Sequence, residues 1–198
     1  MRLAKYRTAM HTLQPHYNWR HLYIASADAR SPFYGYQNSD SHYTDHIYNY
    51  FIHPQWDNFG SETLFLKVLF ADYQKGFAII EFFGEWNDVL HNDIMLLKRD
   101  IIDAMIAEGI TKFILILENV LNFHAGDTDY YEEWQDDLED GWIATLNLRE
   151  HVLAELSRYH IDHYLVLGGT LNDIAWRSRK PTQLFTQINE VVGRRLGM

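Results

Sequence analysis

Residues 62–83 read ETLFLKVLFADYQKGFAIIEFF, and the fold turns on how this stretch is parsed. Two runs rich in aliphatic and aromatic residues flank Tyr73, Gln74 and Lys75, and Gly76 is free to take a positive φ. That pattern predicts a β-hairpin. Downstream, Leu90, Ile94, Leu97, Ile101 and Met105 recur at steps of three and four, with Asn87 or Asn92 as a cap and Gly109 as a stop. An amphipathic helix of about five turns is expected, with Lys98 and Arg99 on its polar side. Residues 112–117 form a short apolar run that reads as a strand. Beyond an acidic interval, Ile143, Leu146, Val152, Leu153 and Leu156 predict a second helix ending near Tyr159. Residues 164–167 predict a further strand closed by Gly168 and Gly169. From about Pro181, Leu184, Phe185, Ile188, Val191 and Val192 line a last helix. The order ββαβαβα predicts an α/β domain over residues 61–198, with a mixed, mostly parallel sheet, covering helices, and only the first strand antiparallel.

Toward the N-terminus the character changes. Residues 1–60 contain thirteen aromatics and six of the eleven histidines but only three leucines. Such a segment lacks the aliphatic periodicity of a core element. An aromatic-rich N-terminal extension is expected, with irregular structure and short strands pinned by Tyr and Trp, meeting the α/β domain near Gly60.

Composition narrows the function classes. A chain of 198 residues with 47% apolar content supports one core of ordinary size. The absence of cysteine excludes disulfides, thiolate nucleophiles and Cys-ligated zinc, and a cytoplasmic location is expected. The first residues, MRLAKYRTAMHTLQP, have no apolar core of a signal peptide, and no run approaches the roughly 18 apolar residues of a membrane span. Neither membrane insertion nor nucleic-acid binding is expected, since the total charge is −10 and the basic residues are scattered.

Charge is concentrated in one place. From Glu118 to Asp140 there are nine carboxylates and no Lys or Arg, so this interval supplies nearly all of the net charge. It leaves the end of a predicted strand, where open α/β sheets put their sites. Phe123, Tyr130, Tyr131 and Trp134 interleave with Glu132, Glu133, Asp136 and Asp137. Aromatics among charges suit an interface, so these eight residues are the candidate docking surface for a protein partner of basic character. The plainer alternative is a solvated loop and helix N-terminus, with Trp134 and Trp142 packed on the sheet. Arg177, Arg179 and Lys180 offer partial neutralisation from within the chain.

A second candidate groups Glu118, His124, Asp127 and Asp129 as a small-molecule or divalent-cation site of an enzyme. The twelve-residue calcium-loop pattern is missing, and His42 and His46, four apart, lack the flanking glutamate of a metalloprotease. No metal set or cofactor is therefore assigned, and no phosphate loop, GxGxxG fingerprint or nucleophile elbow is present. A third reading is a structural subunit, a homo-oligomer formed through the N-terminal extension.

The element order, with Gly84, Glu85, Trp86 and Asn87 between the second strand and first helix and Glu118, Asn119 and Val120 closing the third strand, resembles the STAS domain of anti-sigma-factor antagonists and sulfate transporters. The resemblance covers roughly residues 62–196. It implies a regulatory protein-interaction module, and in the antagonists a phosphorylatable Ser opens the helix after the third strand. Here residues 121–129 contain no Ser and offer Thr128 as the only hydroxyl. A phosphate there would meet repulsion from Asp127, Asp129, Glu132 and Glu133.

Overall fold

The structure is a computed structural model describing residues 11–38 and 46–197. The N-terminal segment contributes a small sheet of β1 (His11–Leu13), β2 (His46–Ile47) and β3 (Tyr50–Ile52), in the order β1-β3-β2. The hairpin predicted from residues 62–83 is present as β4 (Leu64–Asp72) and β5 (Phe77–Asn87), paired antiparallel. β5 continues past Phe83, so Gly84, Glu85, Trp86 and Asn87 are strand and the turn begins at Asp88. Gly84 makes this continuation feasible. Its φ is 121°, and a Cβ would lie 2.1 Å from the carbonyl oxygen of Thr63.

One continuous helix follows, composed of α1 (Asp93–Leu96), a π-type segment (Leu97–Ile102) and α2 (Asp103–Ala107). It begins later than the periodicity predicts, leaving Leu90 in an exposed loop. Asn92 precedes it in a left-handed conformation, and Asp88 Oδ1 accepts the Ile94 N–H at 2.9 Å, supplying the cap from the end of the strand. The wider turn of the π-type segment lets Lys98 join Leu97, Ile101 and Ile102 on the buried side, against the expectation that it faces solvent.

β6 (Lys112–His124) runs parallel to β5 and extends to His124, well beyond the predicted strand end at Leu117. Next come α3 (Asp129–Asp136), β7 (Trp142–Leu146), α4 (Glu150–Arg158) and α5 (Pro181–Leu196). The predicted second helix is corrected here. Ile143 and Leu146 lie on a fully buried strand, and Asn147, at φ 56°, separates it from α4. Of the strand predicted at residues 164–167, Val166 alone bridges to Ala144. The main sheet has the order β4-β5-β6-β7, antiparallel at the first pair and parallel at the others, which is the mixed α/β architecture the sequence predicts.

Both sheet faces are covered. Leu97, Ile101, Trp134, Val152 and Leu156 pack with Ile80, Phe82 and Leu115 on one face, while Leu184, Ile188 and Val192 of α5 join Trp19 and Trp176 over Phe77, Ile79, Ile114 and Ile116 on the other. Aromatic residues fix the N-terminal segment to this frame. Trp56 stacks on Phe83 and donates to the Leu13 carbonyl at 2.8 Å, and Trp19 donates to the Arg179 carbonyl at 2.9 Å. Among the described residues, no helix is long and apolar enough to cross a membrane.

Candidate functional site

The acidic interval divides between the end of β6, a short connection, α3 and a closing turn, and α3 owes its position to an apolar stripe inside a charged sequence. Tyr131, Trp134 and Leu138 recur at steps of three and four, and all are buried. Trp134 meets Phe113 edge-on at 5.2 Å. Tyr131 stacks near Trp86 and donates its hydroxyl to Asp88 Oδ2 at 2.7 Å. Phe123 packs against the same Trp86 at 5.6 Å. These contacts correct part of the predicted docking surface: Phe123, Tyr131 and Trp134 bury apolar area in the core and are not surface anchors. Tyr130 is half-buried, with the Arg99 guanidinium 5.4 Å from its ring.

The carboxylates divide into two groups. Lys98, whose side chain is wholly buried, reaches Asp137 at 2.8 Å and Glu133 at 3.4 Å and also pairs with Asp103. Burial alone would depress the ammonium pKa, but the hydrogen bonds to Asp103 and Asp137 outweigh it and hold the value above the usual lysine range. Arg99 forks onto Glu133, and this hydrogen bonding holds the glutamate below its ordinary value. Glu118 pairs with Arg177. The remaining six, Asp127, Asp129, Glu132, Asp136, Glu139 and Asp140, are exposed and form no ion pair among the described residues. Internal neutralisation thus comes mainly from Lys98 and Arg99, which the sequence reading places on a solvated face.

Beside this helix lies a loop, residues 88–92, whose Leu90 the sequence pattern assigns to the helix that follows. Asp88 N–H donates to the His124 carbonyl at 2.9 Å, and a Cβ on Gly126 would sit 3.1 Å from Asp88 Cβ, so residues 88–92 abut the chain leading into α3. The tip of that loop presents Val89 and Leu90, 64% and 76% exposed. Asp88 is held rigid by Tyr131, by the Trp86 indole N–H at 2.8 Å and by Ile94 N–H. Burial pushes its pKa up to about 6 despite these donors. The only sequence signal for this tip was a pair of apolar residues just ahead of a helix start.

Glu118, His124, Asp127 and Asp129 do not converge. Glu118 and His124 are six positions apart on one strand, about 20 Å at the usual rise. The Glu118 carboxylate turns to Arg177, Asn147 and the Trp176 indole, whereas His124 faces Glu85 at 3.3 Å and Asn122 at 3.0 Å. Asp127 and Asp129 point into solvent. A cavity of about 350 Å³ does exist, but it lies between the N-terminal segment and β4, beside His16, Tyr36 and Lys67. His42 lies outside the described residues, and His46 is on β2.

A second polar cluster was missed altogether. Glu81 is buried on the α5 side of the sheet, accepting the His16 backbone N–H at 2.7 Å, with Asn119 at 3.4 Å and Arg177 at 3.5 Å. Burial dominates and pushes its carboxyl up to about 7, with the nearby Glu118 charge adding to the rise against His16 and Arg177. The signal was a lone carboxylate inside the apolar run FAIIEFF. Its donors close around it, so it fastens the N-terminal segment to the sheet.

The main sheet, antiparallel at its first pair and parallel at the other two, with α3 crossing from the carboxyl end of β6 to the amino end of β7, is the mixed α/β arrangement expected from the sequence. Structure comparison returns anti-sigma factor antagonists. The chain is similar to the Bacillus cell-fate determinant SpoIIAA, an anti-sigma factor antagonist, in its unphosphorylated form: 12% identity, TM-score 0.41, over 67% of this chain and 97% of that one. It is also similar to the Thermotoga maritima protein TM1081, with 16% identity and TM-score 0.39 over 55% of this chain and 87% of that one. No family model matches the chain, and no curated protein matches its sequence.

Proposed function

We propose that this chain is a cytoplasmic regulatory protein-interaction module that docks a basic partner on the face formed by the Val89–Leu90 tip and the outer side of α3 and the turn after it. The observation that carries the reading is a juxtaposition: the exposed apolar tip Val89–Leu90 beside a core-anchored helix whose exposed carboxylates Asp129, Glu132 and Asp136 pair with no cation among the described residues. An apolar centre with a charged rim is the composition of a protein interface, the centre supplying affinity and the rim steering approach. Rigidity supports the same reading. Because Tyr131 and Trp134 hold α3 in the core, little ordering remains to be done on binding. Within the docking surface read from the sequence, Glu132 and Asp136 face a partner directly, while Glu133 and Asp137 organise the helix through Arg99 and Lys98.

The test is affinity capture from native lysate with Leu90→Asp and, separately, with Glu132, Asp136, Glu139 and Asp140 all changed to Lys. A specific partner captured by the wild type is expected to be lost in both. Retention of the same partners by both variants would overturn the docking face.

A further inference from the structure

Residues 160–163 read HIDH and connect α4 to the segment that bridges β7. His160 takes a left-handed backbone at φ 61°, and residues Ile161–His163 form a 3-10 turn. Ile161 is completely buried in the core, so the turn is tethered between its polar members. Backbone bonds from His163 to His160 and from Tyr164 to Ile161, at 3.2 and 3.0 Å, close it further. The outcome is a compact trio. One ligand atom each from His160, Asp162 and His163 lie within 4.8 Å of one another, and the two imidazoles stack with centroids 5.4 Å apart.

We propose that His160, Asp162 and His163 bind a single divalent transition-metal ion of the zinc type. The donor set is two imidazole nitrogens and one carboxylate oxygen, which suits zinc, nickel or copper and is poor for calcium or magnesium, whose shells are built from oxygen. Zinc with bonds of about 2.0–2.2 Å places tetrahedral ligands roughly 3.5 Å apart, so the trio closes on an ion by side-chain rotation, with the fourth position left to water. Both histidines are exposed and free to make that rotation. A separate observation points the same way. Asp162 Oδ1 is shielded from solvent yet accepts no hydrogen bond, an uncompensated acceptor that a cation would satisfy. Histidines near the end of α4 also interact favourably with the helix dipole, but that accounts neither for the convergence nor for the unsatisfied carboxylate oxygen.

The site is independent of the proposed docking face. β7 runs parallel to β6 and α4 returns from its carboxyl end, so the turn sits at the amino ends of the parallel strands, at the end of the sheet away from the Val89–Leu90 tip. An ion there clips the end of α4 to the chain that goes on to Val166.

The experiment is calorimetric titration of the full chain with zinc chloride after chelator treatment and exchange, on wild type, His163→Gln and Asp162→Asn. One tight equivalent per wild-type chain is expected, weakened by about tenfold or more in each variant, with unchanged far-UV circular dichroism. Calcium chloride is expected to give no saturable heat at the same concentrations. Because nine other histidines exist in the chain, binding that survives both substitutions would place the ion elsewhere and overturn the assignment. So would the absence of a saturable zinc equivalent in the wild type. His163 is exposed, so its replacement tests ligation without removing a core contact.

Discussion

Lys98 and Glu81 are buried charges of opposite sign in opposite settings. The Lys98 side chain is sealed beneath α3 but reaches three carboxylates, two of them within 2.8 Å, each with its far side in water. Glu81 is equally sealed, yet among the described residues its only cation is Arg177 at 3.5 Å, a residue shared with Glu118, and its best partner is a neutral backbone N–H. Burial opposes charge in both places. Close, multiple counter-charges reverse that penalty for Lys98, and at Glu81 they do not, so the lysine is held charged while the glutamate drifts toward neutrality. The difference shows that the acidic helix is tied to a cation from within, whereas the N-terminal segment is tied by a contact that responds to pH.

The strongest way to break the comparison is to delete its better-compensated side. Lys98→Ala removes a buried aliphatic stem and leaves Asp103, Glu133 and Asp137 crowded without their shared cation. A loss of about 3–5 kcal/mol is expected in denaturant unfolding at neutral pH. The raised lysine pKa means that the wild-type contribution persists across the neutral range and fades only in strong alkali. A loss below about 1 kcal/mol would mean that the three carboxylates are as stable in water as in this cluster.

Glu81 supplies the next effect, of opposite sign. Its carboxyl binds a proton more tightly in the folded chain than in the unfolded one, so stability falls as pH rises from about 4.5 to about 7 and stays lower above that. At about 1.4 kcal/mol per unit, the penalty at pH 8 is about 3 kcal/mol. Glu81→Gln keeps an acceptor for His16 and removes the titration, so the variant is expected to be more stable than wild type by about 2 kcal/mol at pH 8 and nearly equal to it at pH 4.5. Parallel unfolding midpoints against pH check this, and an unchanged slope would place the titrating group elsewhere.

How these features were written in the sequence differs by element. The hairpin of β4 and β5, the helix from Asp93 and α5 were legible because period and punctuation agree. β7 was not, since five buried residues in a row carry no alternation and Ile143 and Leu146 happen to fall at helical spacing with the real helix that follows. α3 was hidden by its charge. Seven of its eight residues are acidic, amide-bearing or tyrosine, so its Tyr131 and Trp134 stripe read as surface aromatics until Asp88 and Phe113 appeared beneath them. The acidic concentration itself was legible, but its division into paired and unpaired carboxylates depended on a π-type segment that turns Lys98 inward. No sequence period announces such a segment, and Glu81 required knowing which face β5 shows to Arg177.

A smaller effect separates rigidity from charge at the docking face. Tyr131→Phe keeps the ring packed on Trp86 but withdraws one of three donors from Asp88, a carboxyl already pushed up to about 6 by burial. A loss of about 1–2 kcal/mol is expected above pH 6, shrinking at lower pH as Asp88 becomes protonated. Hydrogen exchange at residues 88–92 should quicken in the same variant, because the loop loses its tie to α3. Protection unchanged from wild type would show that the Trp86 and Ile94 bonds suffice.

The smallest expected change in stability carries the most functional information. Glu132, Asp136, Glu139 and Asp140 touch no cation among the described residues, so reversing all four to Lys is expected to shift stability by no more than about 0.5 kcal/mol per site, in contrast to any change at Glu133 or Asp137, which would confront Lys98 and Arg99. Relief of mutual repulsion among the native carboxylates makes a slight gain the more natural direction at low salt. If the four-site variant unfolds as wild type does yet loses its partner, the unpaired carboxylates work outward and the paired ones inward. Marked destabilisation by the same four changes would instead show that the acidic face as a whole belongs to the fold, and the contrast between its two groups of carboxylates would collapse.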